Sequence, residues 1–340
     1  MSKNQLIPPV FEKSAGLAHC LKTDRQECGQ PSLLHPTRPS QQPLLLKQAL
    51  LFLRTGNMTS TSDIISASII ILLGLFGVCV NSYVLFAVSR SKTFGFAFGR
   101  ICMSHTVANI GITGVFAFLV GPITLIAPDL HSTYWGHRCG QILILFWNAA
   151  VFSHFLIAVN RFVCMKSITK ATIIIAWILA CFQVFPYFWE SCTFGFTFDF
   201  YAFRFISGTC GLVIGTILDY YMSICMVITI GTIDFLTFWK IKTHKKKTAN
   251  LGTGQQVNHK MDRRFFYQAM TQGLVFGGEL ISFFSISTFV KGNIWLEFLF
   301  TTVAWIMVHT VDGIIVIVFH EEIRQACFKK SVSQSGTNKS

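Results

Sequence analysis

The residues of this chain that can do chemistry are few, and they sit in apolar surroundings. Glu279 lies within Phe265–Val290, among Gly, Leu, Ile, Ser and Phe. Trp305, His309 and Asp312 are spaced i, i+4 and i+7, which puts them on one stripe of a helix. Asn81 and Asn109 occupy two further apolar stretches, and Arg161 follows a third that holds no other Lys or Arg. A charge in such surroundings is costly unless it is paired or neutral, so these groups are expected to face one another or a water pocket. Asn81, Asn109, Glu279, Trp305 and His309 are therefore predicted to form a buried polar network. No nucleophile, base and orienting group occur together, so the expected chemistry is non-covalent exchange of hydrogen bonds and charge pairs, not catalysis.

The other polar residues in apolar stretches read as structural. His105 and His154 are expected to be packed, hydrogen-bonded core histidines, while Asp219 and Asp234 are expected to snorkel or pair locally near the two membrane interfaces. Gly273, Gly277 and Gly278 allow either bending or close helix approach. The eleven cysteines show no CxxC and no metal-ligand spacing, so neither a metal nor a cofactor is expected. Cys79, Cys102, Cys181 and Cys225 lie inside apolar runs and act there as small hydrophobes, whereas Cys139, Cys192 and Cys210 fall in polar gaps.

The elements that must position these residues are long apolar runs: Ile64–Val88, Ile101–Ile126, Gly140–Val159, Ala171–Phe188, Gly211–Trp239, Phe265–Val290 and Ile294–Phe319. About 20 helical residues cross a hydrocarbon core of about 30 Å, and backbone groups in lipid must be satisfied within their own segment. The expected fold is thus an all-α membrane protein, a bundle of seven transmembrane helices. Composition agrees: 52% of residues are hydrophobic, 13% are charged, and 34 are Phe. A soluble shell of this size needs more charge than that.

Net charge is +13, but the basic residues do not line a face that would bind nucleic acid. They mark alternate gaps. The gaps after the first, third and fifth runs, with the C-terminal tail, hold eighteen Lys and Arg, and the other three gaps hold one each: Arg138, Arg204 and Lys291. By the positive-inside rule the eighteen face the cytoplasm, so the N-terminus is expected outside and the C-terminus inside.

Residues 1–60 contain six of the nine prolines and read as an irregular extracellular tail, or as an extension upstream of a start at Met58; residues 61–320 form the membrane domain. Asn57-Met-Thr59 is a glycosylation acceptor. In residues 321–340, Ile323, Ala326 and Cys327 share one helical face opposite Glu321, Glu322 and Arg324, so a short eighth helix is expected in the interface plane. Cys327 is there either a palmitoylation site or an unmodified thiol. The Lys245-Lys246-Lys247 run suits anionic lipid.

Trp135-Gly-His-Arg-Cys139-Gly-Gln141 opens the third helix and Asn160-Arg161-Phe162 closes it, a pattern similar to rhodopsin-like G-protein-coupled receptors. A closer resemblance is to the nematode serpentine chemoreceptors of class X. It rests on Ser104-His-Thr-Val-Ala108-Asn109, Ser153-His154-Phe-Leu-Ile-Ala158-Val-Asn160-Arg161-Phe162 and Cys192-Thr-Phe-Gly-Phe196. Ala304-Trp305, His309-Thr-Val-Asp312-Gly313 and Phe319-His-Glu-Glu-Ile323-Arg324 complete it, so that it spans roughly residues 64–328.

The resemblance implies a plasma-membrane chemosensory receptor, with an external small-molecule or peptide ligand and a heterotrimeric G protein as partners. It implies a disulfide from Cys139 to either Cys192 or Cys210. It also implies a switch built on Asn160, Arg161, Phe162, Asp312 and Gly313, in which the Arg161 guanidinium exchanges an acidic neighbour for the G protein. A transporter or channel is the alternative, using Glu279, His309 and Asp312 as an ion path, although the runs show no internal repeat. Three features depart from the better-known receptors. The loop between Phe162 and Ala171 is short, the sixth run lacks Pro, and Asp312-Gly313 stands where those receptors have Asn-Pro.

Overall fold

The computed structural model describes residues 60–91, 94–163, 167–205, 208–250 and 259–324. Asn57 and Cys327, the expected glycosylation and lipidation sites, lie outside them, as does most of the expected eighth helix. Seven helices are long and apolar enough to cross a membrane. They are α1 (Thr61–Arg90), α2 (Phe96–Ile126), α3 (Tyr134–Val163), α4 (Thr169–Phe188), α5 (Thr209–Lys240), α6 (Arg264–Phe289) and α7 (Ile294–Phe319). The helix of α5 continues to Asn250. Helix α1 starts at a capping box: Ser60 Oγ accepts from the Asp63 amide at 3.2 Å, and Asp63 accepts from the Ser60 amide at 2.8 Å.

The helices α3 and α7 are the most enclosed, with 67% and 56% of their central windows buried, against 22% for α4. The core between them is aromatic: Trp147 stacks on Phe276 at 4.9 Å, and Trp305 meets Trp147 edge-on at 5.6 Å. The helices α1, α2 and α7 pack through glycines. A Cβ on Gly77 would sit 2.6 Å from both Thr113 and Thr310, and one on Gly313 would sit 2.7 Å from Asn81. The α6 glycines behave otherwise. Gly273 and Gly278 face open space and Gly277 approaches only Val227, so the close-packing alternative does not hold for them.

Wide π-type turns interrupt four helices, at Phe116–Val120, Ile214–Tyr221, Ser282–Ile286 and Leu299–Val303. The first directly precedes Gly121-Pro122, and the second run continues helical past the proline to Ile126. In α6, which lacks Pro, Ser282 Oγ donates to the Phe300 carbonyl of α7 at 2.7 Å.

The gap between α4 and α5 holds an antiparallel ribbon: β1 (Phe194–Thr197) and β2 (Ala202–Phe205), paired Phe194 to Phe205 through Thr197 to Ala202. Cys192 precedes β1 and Cys210 follows β2, and they form a disulfide with a Cα–Cα separation of 5.0 Å. This corrects the expected bond to Cys139, which is a buried free thiol. The pairing register brings the two ribbon ends together. Cys139 meanwhile turns its Sγ toward the Trp135 carbonyl of its own helix.

The ribbon is pinned to two helices by three contacts. Tyr201, at φ 48°, donates to Asp63 of α1 at 2.7 Å, and its carbonyl accepts from Thr302 of α7 at 2.6 Å. Arg204 forms an ion pair with the buried Glu297 of α7. Burial, reinforced by the Asp63 carboxylate, pushes the Tyr201 phenol up to about 12. At the other end of the bundle the chain breaks at His320, and residues 321–324 turn helical with Ile323 buried and Glu321, Glu322 and Arg324 exposed.

Candidate functional site

Three layers of polar residues lie along the bundle. At the ribbon end, a cavity of about 20 Å³ is lined by Asp219 of α5, Glu279 of α6 and the rings of Trp147, Phe194, Phe283, Phe284 and Trp305. Both acids are 6% exposed. Tyr187 donates to Asp219 at 3.3 Å, while Glu279 Oε2 has no hydrogen-bond partner among the described residues. Asp219 sits in the wide turn of α5, which turns it inward and not toward the interface expected for it.

The middle layer centres on Asp312. His105 Nε2 donates to it at 2.6 Å and Asn109 Nδ2 at 2.7 Å, and His154 Nε2 lies 3.6 Å from its other oxygen. His309 Nδ1 donates to Asn109 Oδ1 at 2.9 Å, and Asn81 Nδ2 donates to the His309 carbonyl at 3.0 Å. Asn81, Asn109, His309 and Asp312 are thus brought together as one network. Glu279 and Trp305 are not part of it; they belong to the cavity above. His105 and His154 are buried histidines, as expected, and the group they pack beside is the Asp312 carboxylate, to which His105 is hydrogen-bonded. The donor atoms of His105, His154 and Asp312 all lie within 4.8 Å of one another, a set that could hold a metal ion. Their sequence separations hide this grouping, since they come from three helices.

The third layer is Arg161, which faces Asp234 of α5 across 3.5 Å with the Phe98 ring 5.5 Å away. Both side chains are almost fully enclosed, at 8% and 3% exposure. Asn160 is buried beside it, while Phe162 is partly exposed and its carbonyl accepts from Lys240 at 3.2 Å. Gly313 makes no contact with this layer; it is the point where α7 meets Asn81 of α1.

Two histidines outside the spans are held neutral. His131 is fully buried, 2.9 Å from Thr124 Oγ1, and burial lowers it to about 4. His320 donates to Gln268 Oε1 at 2.7 Å between the rings of Phe94 and Phe265. Burial first, then the Arg264 charge, lowers it to about 4.

The bundle is similar to the crystal structure of squid rhodopsin, with a TM-score of 0.63 over 82% of this chain and 88% of that one, at 13% identity. At that identity the likeness bears on fold alone. In sequence the chain is 25% identical over 305 residues to serpentine receptor class X 45 of Caenorhabditis elegans, covering 81% of this chain and 84% of that protein. Residues 71–320 match the family described as serpentine type 7TM GPCR chemoreceptor Srx. With seven spans, a rhodopsin-like bundle and a match over most of its length, the chain belongs to the Srx family of seven-transmembrane chemoreceptors.

Proposed function

We propose that this chemosensory receptor sits in the plasma membrane with its N-terminus and ribbon outside and its C-terminus in the cytoplasm, and that it relays an external chemical cue to a heterotrimeric G protein. The distribution of Lys and Arg supports that orientation. The cue binds between the outer halves of the helices, beneath the ribbon, where Asp219 and Glu279 face the aromatic cavity.

The observation that carries the reading is the buried pair Arg161–Asp234 at the opposite end. It joins the inner ends of α3 and α5, so it stabilises a closed arrangement. Cue binding favours the arrangement in which the pair opens and Arg161 meets the G protein. Asn160, Phe162, Asp312 and Gly313 support that switch, Gly313 by letting α7 close on α1.

The test is G-protein activation by the full chain across volatile and water-soluble cues, with Arg161→Ala as control. Arg161→Ala should lose activation and keep surface expression; full signalling from it would remove the role assigned to Arg161. Current or uptake in cells lacking G proteins would instead support a transporter.

A further inference from the structure

The two acids of the outer cavity lack a counter-charge. Among the described residues, Asp234, Glu297 and Glu321 face an arginine and Asp312 faces two histidines, and neither Asp219 nor Glu279 has such a partner. Glu279 is 94% enclosed by its 6% exposure, and its Oε2 has no partner among the described residues. Two carboxyl groups without a counter-charge, from neighbouring helices and lining one cavity inside a membrane bundle, are costly unless something cationic or neutralising joins them. The rest of the wall is π-surface: Trp147, Trp305, Phe283 and Phe284. Ring faces attract organic cations, and most strongly when both are withdrawn from water.

We propose that this cavity is a seat for the ammonium head of a small organic amine, with Glu279 and Asp219 as its counter-charges and the aromatic rings as its walls. The inference deepens the receptor reading by naming the class of cue, and it rests on that reading only for the step from binding to signalling.

Size and donor set choose the occupant. A volume of about 20 Å³ holds a group the size of one water, which an ammonium head matches. A hydrated divalent ion fits poorly. Calcium takes about six to eight oxygen ligands, and magnesium keeps several waters. This wall supplies two carboxyl groups, with the Tyr187 hydroxyl already given to Asp219. An anion would meet two acids. A neutral cue of the same shape would fill the space and leave both carboxyl groups without a counter-charge.

The test uses the full chain purified into lipid nanodiscs. Its melting temperature is followed in n-butylammonium chloride, methylammonium chloride, n-butanol, sodium butyrate and calcium chloride at matched ionic strength. Ligand binding to the folded state raises the melting temperature in a saturable way. The expected result is such a rise with at least one of the two ammonium salts and none with butanol, butyrate or calcium. In Glu279→Gln, which keeps the shape, the apparent affinity should fall about ten- to a hundredfold, the range for loss of a charged hydrogen bond. Asp219→Asn is the second variant, measured in the same way.

An equal rise with butanol, no rise with either ammonium salt, or unchanged affinity in both variants would overturn the seat. A calcium response lost in Glu279→Gln would overturn it in favour of a metal site. G-protein activation is read in parallel with the same compounds and a panel of neutral cues. Activation by neutral cues without ammonium binding overturns the seat and leaves the receptor reading standing. Ammonium binding without activation by any compound does the reverse.

Discussion

Substituting Asp234 by Asn should make this receptor signal without a cue. The change keeps the shape of the side chain and removes the charge that faces Arg161 across 3.5 Å. Arg161 Nε, Nη1 and Nη2 have no hydrogen-bond partner among the described residues, so the carboxylate is the main compensation for a guanidinium that is 8% exposed. Removing one member of a buried pair costs about 3–5 kcal/mol. The separation is long for a charged hydrogen bond, so the lower end applies, about 3 kcal/mol. That cost falls on the closed arrangement alone if opening lets the guanidinium reach water. At about 1.4 kcal/mol per factor of ten, it shifts the ratio of open to closed about a hundredfold. A receptor that rests about 1% open would then rest about half open. The assay is cue-independent nucleotide exchange on the G protein in membranes, normalised to receptor at the surface. Basal exchange at the wild-type level, with normal surface expression, would refute the idea that this pair holds the closed state.

Three further outcomes follow from the fold. Non-reduced peptide mapping should recover Cys192 linked to Cys210 and Cys139 as a free thiol; Cys192→Ser should cost about 3 kcal/mol of ribbon stability, the loop entropy for a separation of 18 residues, whereas Cys139→Ser should leave the bond intact. Gly77→Ala should destabilise the bundle by about 1–3 kcal/mol, because its Cβ would meet Thr113 and Thr310 at 2.6 Å, while Gly278→Ala, facing open space, should leave the melting temperature unchanged or slightly raised. His320, lowered to about 4 from an ordinary 6.5, is neutral when docked and takes a proton more readily when released. Its contribution is therefore complete above about pH 6.5 and is lost as pH falls toward 4, by about 3 kcal/mol at most. Melting temperature should drop through that window more steeply in the wild type than in His320→Phe, and parallel curves would rule the histidine out.

The spans were legible because the bilayer sets their length. The sixth run, Phe265–Val290, ends one residue beyond α6, whose helix begins earlier, at His259, and the seventh, Ile294–Phe319, coincides with α7. The ribbon was hidden in a gap: its strands are four residues each, shorter than any hydropathy window. A signal does exist in the alternation Phe194, Phe196 and Phe203, Phe205, which places four rings on one face of a hairpin. Without that hairpin nothing decides how three loop cysteines pair, so the expected bond to Cys139 was the wrong choice. The polar residues were legible by type, because an Asp or His in lipid demands a partner, but the partners were not. Asp312 and His105 are 207 positions apart, and only the bundle's packing joins them. Asp219 and Asp234 were expected to snorkel or pair locally, and both find partners, Tyr187 and Arg161, whose identity only the packing of α3, α4 and α5 reveals.

What links the three layers is that α3 contributes to all of them and α5 and α7 to two each. On α3, Trp147, His154 and Arg161 are spaced by seven, close to two full turns, so they share a face. The first lines the cavity, the second meets Asp312, and the third meets Asp234. At 1.5 Å per residue they extend over about 21 Å. Helix α7 repeats the arrangement, with Trp305 at the cavity and His309 and Asp312 in the network, and α5 carries Asp219 at one layer and Asp234 at another. A cue that displaces Trp147 or Trp305 thus acts on helices whose next polar residues are already in contact, and a rigid turn or slide of α3 is felt by His154 and Arg161 together. Such a movement transmits a signal only if the cue favours one position of the helix over the other. The proposed amine seat provides that difference, since a cation between Glu279 on α6 and Asp219 on α5 repositions α5, the helix whose inner end must leave α3 to release Arg161.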